Sequence, residues 1–275
     1  MRLFLMTCLA MLAFAANSVL NRMAVGAGLI DPVVFAVVRL ATGAAVLGLL
    51  LVWRGGVWPG WTGRLPGVVG LLVYLFGFSA AYLALDAGTG ALILFGVVQI
   101  TMFAGALLSG EAVPARRMVG AALALAGLAV LLAPKGGAIL PVVAMAAAGV
   151  GWGLYSLAGR GQSDALAATA WNFILALPVG LAALALWPGQ WSGAGVALAM
   201  LSGGVTSGLG YALWYAVVPQ LGAGRAAVAQ LSVPLIATAG GFAVLAEVPG
   251  PGFWLAAALV LGGVGWALAP RAKAV

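Results

Sequence analysis

Residues 107–135 read LLSGEAVPARRMVGAALALAGLAVLLAPK, and residues 243–271 read AVLAEVPGPGFWLAAALVLGGVGWALAPR. With a shift of 136 positions, 49 consecutive pairs that include these stretches give 15 identities. The protein has two glutamates, Glu111 and Glu247, and this shift superimposes them. Self-similarity at a fixed offset is the signature of a repeated structural unit. The sequence therefore predicts a duplicated chain.

Other parts of the chain repeat at similar offsets. A shift of 133 positions aligns Asp31 with Asp164, and a shift of 138 aligns Arg22 with Arg160. We therefore predict two units, residues 1–136 and residues 137–275, within one membrane domain.

The composition indicates an integral membrane protein. Of 275 residues, 65% are hydrophobic and 6% are charged, whereas soluble domains carry roughly a quarter charged residues. The net charge of +7 comes from single basic residues between apolar runs, which favours topology signals over a nucleic-acid surface. With one cysteine and no histidine, we predict no intramolecular disulfide, no metal site and no cofactor.

Apolar runs of about 20 residues, the length that a membrane helix needs, recur between polar breaks. Asp31 and Asp164 stand directly before two of these runs, as helix N-caps do. We predict ten transmembrane helices, at Leu3–Asn21, Pro32–Trp53, Leu65–Leu85, Gly88–Ser109, Ala115–Ala133, Ala138–Ala158, Asp164–Trp187, Gly193–Val218, Ala223–Ala246 and Gly252–Ala269.

The first run has a second interpretation. MRLF, an apolar stretch and AFAAN together resemble a signal peptide with its cleavage site. A retained helix is favoured because the run has a counterpart in the second half.

Five helices per unit is an odd number, so the second unit enters the membrane from the opposite side. Inverted repeats around a central cavity are the usual basis of alternating access in secondary transporters. The alternatives are a scaffold or a lipid scramblase built by the same duplication. The side that holds the N-terminus carries nine basic residues and the other side two, which predicts an inner-membrane protein with both termini in the cytoplasm. The nine are Arg2, Arg54, Arg64, Arg116, Arg117, Arg160, Arg225, Arg271 and Lys273, and the two are Arg22 and Lys135.

The repeated unit, a small-residue helix, a glutamate, a turn and a glycine-rich helix, resembles the EamA-type repeat of the drug/metabolite transporter superfamily. Within that superfamily the chain is most similar to the aromatic amino-acid exporters, and an exporter of other metabolites or drugs in the same superfamily is the alternative. The resemblance implies that helices 1–4 and 6–9 surround a cavity, with helices 5 and 10 outside. Pro234 is the proline that such repeats often carry in helix nine, but Val98 occupies the matching place in the first half.

Arg39 is the charged residue deepest inside an apolar run, about 10 Å along its helix from Pro32. A buried charge should face the bundle interior or a wet cavity. One hypothesis is that its guanidinium binds a carboxylate or polar substrate groups. The other is that it snorkels outward or ties backbone carbonyls together. Its counterpart in the second half is Asn172, beside Trp171.

Other polar and aromatic residues are candidates for the cavity wall. Gln99 and Gln230 can donate and accept hydrogen bonds without titrating, or they join two helices. Aromatic residues at four-residue spacing form a ridge on one helix face. Such ridges stack planar solutes, or they pack helices and anchor the membrane interface. The aromatic candidates are Tyr74, Phe78, Tyr82, Trp152, Tyr155, Tyr211, Trp214 and Tyr215.

The acidic residues all fall at predicted helix ends or turns, so no carboxylate lies near the predicted midplane. A proton-coupled exporter of cationic drugs needs such a carboxylate. We therefore predict uncoupled export of small neutral or zwitterionic solutes, amino acids including aromatic ones. An intramembrane enzyme is disfavoured, because no nucleophile–base pair or G-x-S-x-G motif occurs. The predicted partners are a small-molecule substrate and the lipid bilayer, not nucleic acid.

Overall fold

The computed structural model describes residues 1–110, 115–132, 139–160 and 162–268. Over these residues the secondary structure is helical, apart from one isolated β-bridge between Ile30 and Trp191. The α-helices are α1 (Arg2–Asn21), α2 (Pro32–Trp53), α3 (Arg64–Ala81), α4 (Ala87–Leu108), α5 (Ala115–Leu132), α6 (Ile139–Gly159), α7 (Ala165–Leu186), α8 (Gly193–Met200), α9 (Gly210–Gln230), α10 (Ser232–Leu245) and α11 (Pro251–Leu268). Two π-helical segments, Arg22–Gly26 and Leu201–Leu209, extend α1 and join α8 to α9.

The apolar helices agree in number with the ten predicted crossings, but the break predicted between helices 8 and 9, at residues 219–222, lies inside α9. Within the described ranges, eight helical stretches are long and apolar enough to cross a membrane. Two shorter apolar helices, Met118–Val130 in α5 and Pro251–Ala267 in α11, supply the remaining two crossings. The protein is an all-α integral membrane protein of ten transmembrane segments. The predicted boundary between residues 136 and 137 lies outside the described residues, as do Glu111, Pro134 and Pro270.

Helix packing follows the symmetry of two related halves. The pairs α2–α7, α4–α10 and α5–α11 each join a helix to its own counterpart. In the first half, α3 contacts α6. The corresponding contact of the second half is made by α9 and the segment Leu201–Leu209, which both contact α1. The contact of α4 with α6 likewise corresponds to that of α10 with α1. A twofold relation between the halves produces this pattern, with the cavity between the first four crossings of each half.

Close backbone contacts between α5 and α11 match the sequence register. A Cβ placed on Gly120 would lie 2.5 Å from the carbonyl oxygen of Gly263, and one on Gly127 would lie 2.9 Å from that of Ala256. The 136-residue shift exchanges Gly120 with Ala256 and Gly127 with Gly263. The two contacts are therefore images of each other. Small residues at such crossings let membrane helices approach closely.

The two predicted N-cap aspartates also form a symmetric pair, although only one caps its helix. Asp164 accepts a hydrogen bond from the Ala167 amide at 3.0 Å and pairs with Arg54 of the α2–α3 loop. Asp31 occupies the predicted N-cap position of α2, but its side chain makes no cap hydrogen bond. Its carboxylate instead accepts from the backbone amide of Gln190 in the α7–α8 loop. In each half, the aspartate before the second helix thus holds a loop of the other half.

The predicted ninth helix, Ala223–Ala246, is divided in the structure. Helix α9 extends to Gln230, and α10 begins at Ser232. Pro234 lacks the N–H that the carbonyl of Gln230 would need in an unbroken helix, and its ring clashes with that carbonyl. In the first half, α4 continues past Val98 without a break. The departure from the repeat pattern at Val98 thus coincides with a difference between the two halves.

Large apolar side chains are exposed on the outer surface of the bundle. Examples are Phe4, Leu49, Leu108, Phe242 and Trp254, each at least 54% exposed. A soluble protein rarely exposes so much apolar surface. This surface fits a hydrocarbon environment.

Candidate functional site

A small cavity lies in the interior, between α1, α3, α4, α6 and α9. The space open to the centre of a water molecule is about 20 Å³, enough for one or two waters. An amino acid can enter only if the surrounding helices separate. The lining residues are Phe14, Asn17, Ser18, Tyr74, Phe78, Leu94, Phe95, Trp152 and Tyr211.

Aromatic rings from five helices cluster around this cavity. Trp152 of α6 stacks on Tyr155 with ring centroids 5.1 Å apart, and on Tyr211 of α9 at 5.3 Å. Tyr74 of α3 packs against Trp152 at 4.9 Å, and Phe14 of α1 meets the edge of Tyr211 at 5.7 Å. Each ring lies in a well-populated pair geometry. Aromatic faces therefore dominate the wall that any solute here would contact.

Arg39 of α2 lies directly behind this aromatic wall and is 0% exposed. Its Nη2 donates to the Tyr74 hydroxyl at 2.8 Å, and its Nε donates to the Ser207 hydroxyl at 3.0 Å. The guanidinium carbon lies 5.1 Å from the ring centroids of both Tyr74 and Phe78. Its Nη1 is buried without a hydrogen-bond partner. The snorkelling hypothesis is wrong, because the side chain points neither to lipid nor to water.

A polar network joins Arg39 to the cavity through Asn17. The Asn17 Oδ1 accepts hydrogen bonds from Ser202 at 2.7 Å, Thr206 at 2.6 Å and Ser207 at 3.4 Å. All three hydroxyls belong to the π-helical segment Leu201–Leu209, whose wider turn places them on one face. Such π segments occur frequently at functional sites. Sequence analysis missed Asn17, although polar residues at positions 17, 18 and 21 share a face of an otherwise apolar helix.

Glu247 joins the two halves at the end of the bundle where α1 ends and α2 begins. We call this end the opposite face, because it lies opposite the end that holds the N-terminus. The Oε1 of Glu247 accepts from the Arg22 Nε at 2.8 Å, and its Oε2 accepts from the Ala87 amide at the start of α4 at 2.8 Å. Asp86 precedes α4 but its side chain makes no cap hydrogen bond. Glu247 instead accepts a hydrogen bond from the first backbone amide of α4. Partial burial and the nearby Glu247 raise the pKa of Asp86, and Arg22 opposes this shift.

A second set of contacts closes the N-terminal face, where α1 begins and α2 ends. Arg64, expected in a loop, is instead the first residue of α3 and is 2% exposed. Its Nη1 donates to the Ala168 carbonyl at 2.5 Å and to the Asn172 side chain at 3.0 Å, and its Nη2 donates to Gln162 at 3.1 Å. The hydrogen bond from Arg54 lowers the pKa of Asp164, against the effect of partial burial.

The structure brings together only part of the predicted site. Four predicted residues line the cavity, Tyr74, Phe78, Trp152 and Tyr211. Three stand directly behind that lining: Arg39, Tyr155 and Trp214, whose ring lies 5.7 Å from Phe14. The other six do not line the cavity, although Tyr82 packs edge-on against the lining ring of Phe78 with centroids 4.8 Å apart. The six are Tyr82, Gln99, Trp171, Asn172, Tyr215 and Gln230.

Three of those six have other contacts. Tyr82 donates to the Ala87 carbonyl at 3.3 Å, at the turn between α3 and α4. Asn172 binds Arg64, and Trp171 packs edge-on against Trp58 with ring centroids 4.8 Å apart. The helix face that these residues present could not be predicted from one sequence.

Residues 137–269 match the sequence profile of the EamA-like transporter family. The chain carries an EamA-like transporter domain. Members of this family are transporters of the drug/metabolite superfamily, so the EamA resemblance inferred from the repeat is confirmed for residues 137–269. The protein is also similar to Uncharacterized protein PA1977 of Pseudomonas aeruginosa, with 46% identity over 98% of this chain and 96% of the relative.

A solved crystal structure shares the fold of this EamA-like protein. It superposes with a TM-score of 0.66 and covers 94% of this chain and 96% of its own, at 21% sequence identity. At that identity the likeness shows the fold alone. These comparisons agree with a multi-pass membrane transporter and do not extend to the aromatic amino-acid exporter group.

Proposed function

We propose that this EamA-like protein is a secondary transporter that exports small neutral or zwitterionic solutes by alternating access. Amino acids, aromatic ones included, are the proposed substrates. The observation that carries this proposal is an aromatic cavity enclosed between two symmetry-related halves. Because the cavity holds about 20 Å³, loading a solute requires the halves to separate.

The chemistry of the lining favours this substrate class. Among the nine lining residues there is no carboxylate, the group that would hold a cationic drug or exchange a proton for it. The lining offers ring faces together with the amide of Asn17 and the hydroxyls of Ser18 and Tyr74. Flat, uncharged surfaces stack on such rings, and amides orient polar groups without titrating.

We also propose that the protein lies in the inner membrane with both termini in the cytoplasm. The basic residues Arg54, Arg64 and Arg160 all lie at the N-terminal face, the side that the excess of Lys and Arg assigns to the cytoplasm. Export then starts from an opening at this face.

The test is uptake of labelled amino acids into proteoliposomes, with and without an imposed pH gradient. We expect saturable uptake of an aromatic amino acid that its analogues inhibit and that needs no pH gradient. Trp152→Ala, in the cavity wall, should reduce uptake strongly. Trp254→Ala, 54% exposed on α11, is the matched control and should transport normally.

Three results would count against the proposal. If no amino acid enters the proteoliposomes faster than it enters empty liposomes, the proposal that the protein transports amino acids is wrong. Uptake only with a pH gradient would remove the uncoupled mechanism. Rapid flipping of fluorescent lipid without amino-acid uptake would favour a scramblase.

A further inference from the structure

We infer that the solute carries a carboxylate and that Arg39 is its receptor. This inference rests on the proposed function, because it names the chemical class of solute that the same cavity admits. It commits to one group of the solute: a negatively charged carboxylate, with a flat ring attached to it.

Arg39 lies apart from the acidic side chains of the described residues. Two ion pairs occur within the described ranges, Arg22–Glu247 and Arg54–Asp164, and Arg39 belongs to neither. The remaining described acids, Asp31 and Asp86, lie at the opposite face of the bundle. The guanidinium is therefore buried with hydroxyl groups and ring faces but without a described counter-ion.

Arg39 also leaves part of its hydrogen-bonding capacity unused. A guanidinium has five N–H donors in a planar fork. Tyr74 and Ser207 accept from Nη2 and Nε, and the Tyr211 side chain lies beside the guanidinium, while Nη1 is buried without an acceptor in hydrogen-bond geometry. Buried charged donors are rarely left without a partner, because desolvation is then uncompensated. A carboxylate matches the fork and supplies charge and acceptors together.

Two aromatic rings lie between the cavity and the Arg39 guanidinium. Tyr74 and Phe78 line the cavity, and the same two rings cover the guanidinium at 5.1 Å. Movement of these rings as the halves separate would open the cavity onto Arg39. The aromatic wall beside it, with Trp152 and Tyr211 stacked at 5.3 Å, would then receive the ring of the solute.

The experiment compares phenyl solutes with a carboxylate and phenyl solutes without one, and 3-phenylpropionate also lacks the amino group. Inhibition of labelled phenylalanine uptake is measured in proteoliposomes with phenylalanine, 3-phenylpropionate, phenylalaninamide and phenethylamine. The wild-type protein should prefer the two carboxylates over the amide and the amine by about tenfold or more, the factor expected for a charge-assisted hydrogen bond. Equal inhibition by all four would overturn the inference without any variant.

Variants then assign the preference to Arg39. Arg39→Gln should bring the ratio of carboxylate to amide inhibition close to one, and Arg39→Lys should keep part of it. Arg2→Gln, which removes an exposed cation at the start of α1, is the control and should keep the full ratio. A full preference retained in Arg39→Gln would overturn the assignment.

A binding measurement separates failure of this inference from failure of the proposed function. In detergent, 3-phenylpropionate should raise the melting temperature of the wild type, and phenylalaninamide should not. If carboxylates stabilise the wild type but no flux occurs, the carboxylate site stands and transport fails. If flux occurs without carboxylate preference, transport stands and the carboxylate site fails.

Discussion

Replacing Gly203 by alanine should destabilise the protein, whereas the same change at the next residue, Gly204, should not. Both glycines lie in the π-helical segment that packs against α2. A Cβ on Gly203 would lie 1.9 Å from the Thr42 hydroxyl and 2.3 Å from the Arg39 carbonyl oxygen. A Cβ on Gly204 would meet only a Val46 methyl at 3.5 Å, an ordinary contact.

The size of the effect follows from these distances. Moving the Arg39 carbonyl from 2.3 Å to an ordinary contact of 3.4 Å separates the segment from α2 by about 1 Å. Overpacking of this kind costs about 1–3 kcal/mol. The same movement breaks the 3.0 Å bond from Arg39 to Ser207, and hydrogen bonds of charged groups are worth about 1.5–3 kcal/mol. Gly203→Ala should therefore cost roughly 2–6 kcal/mol, whereas Gly204→Ala should be neutral or slightly stabilising because alanine favours helix.

The assay is thermal unfolding of the two variants side by side in detergent, followed by the loss of the monodisperse peak on size-exclusion chromatography. The Gly203→Ala midpoint should fall by several degrees and the Gly204→Ala midpoint should stay within a degree of wild type. Equal midpoints for the two variants would refute the close packing of this segment on α2.

Three other substitutions test separate contacts. Glu247→Ala removes the acceptor of Arg22 and of a helix start, so unfolding should become easier by about 1–3 kcal/mol, measured by the thermal midpoint. Asp86→Asn should raise the thermal midpoint at pH 7, because a raised carboxyl pKa means that the ionised form is unfavourable in the folded protein. This gain in the midpoint should fade as the pH falls to about 4, near the ordinary aspartate pKa. A gain that grows at low pH would contradict this sign. Asn17→Ala should cost about 1–3 kcal/mol because buried hydroxyls lose their acceptor, whereas Thr7→Ala on the same helix, whose hydroxyl bonds only its own backbone, should stay within about 0.5 kcal/mol.

The sequence predicted the crossings and the register of the repeat because both depend on patterns within the chain. Apolar length sets the spans, and the 136-residue shift predicted a register that the Gly120 and Gly127 contacts reproduce. Asp31 and Asp164 both occupy the N-cap positions that the sequence predicted, but only the Asp164 side chain makes the cap hydrogen bond. A cap is a local contact, whereas the bond of Asp31 depends on a distant loop.

Contacts between distant elements explain what the sequence left hidden. Arg64 resembles a loop residue in the sequence, yet α7 supplies the acceptors that allow it to be buried. The π segment Leu201–Leu209 has no signature that apolar periodicity detects, and it aims three hydroxyls at Asn17. The aromatic ridge on α3 illustrates the same limit: Tyr74 and Phe78 reach the cavity, but Tyr82, one turn further, packs at the α3–α4 turn.

The most direct test of alternating access through this cavity is counterflow. Proteoliposomes loaded with unlabelled phenylalanine are diluted into a trace of labelled phenylalanine, without any ion gradient. A carrier whose two halves expose the cavity in turn predicts a transient accumulation of label that exceeds equilibrium and that Trp152→Ala reduces. Label that enters at the same rate from loaded and unloaded vesicles, with no overshoot, would contradict the account.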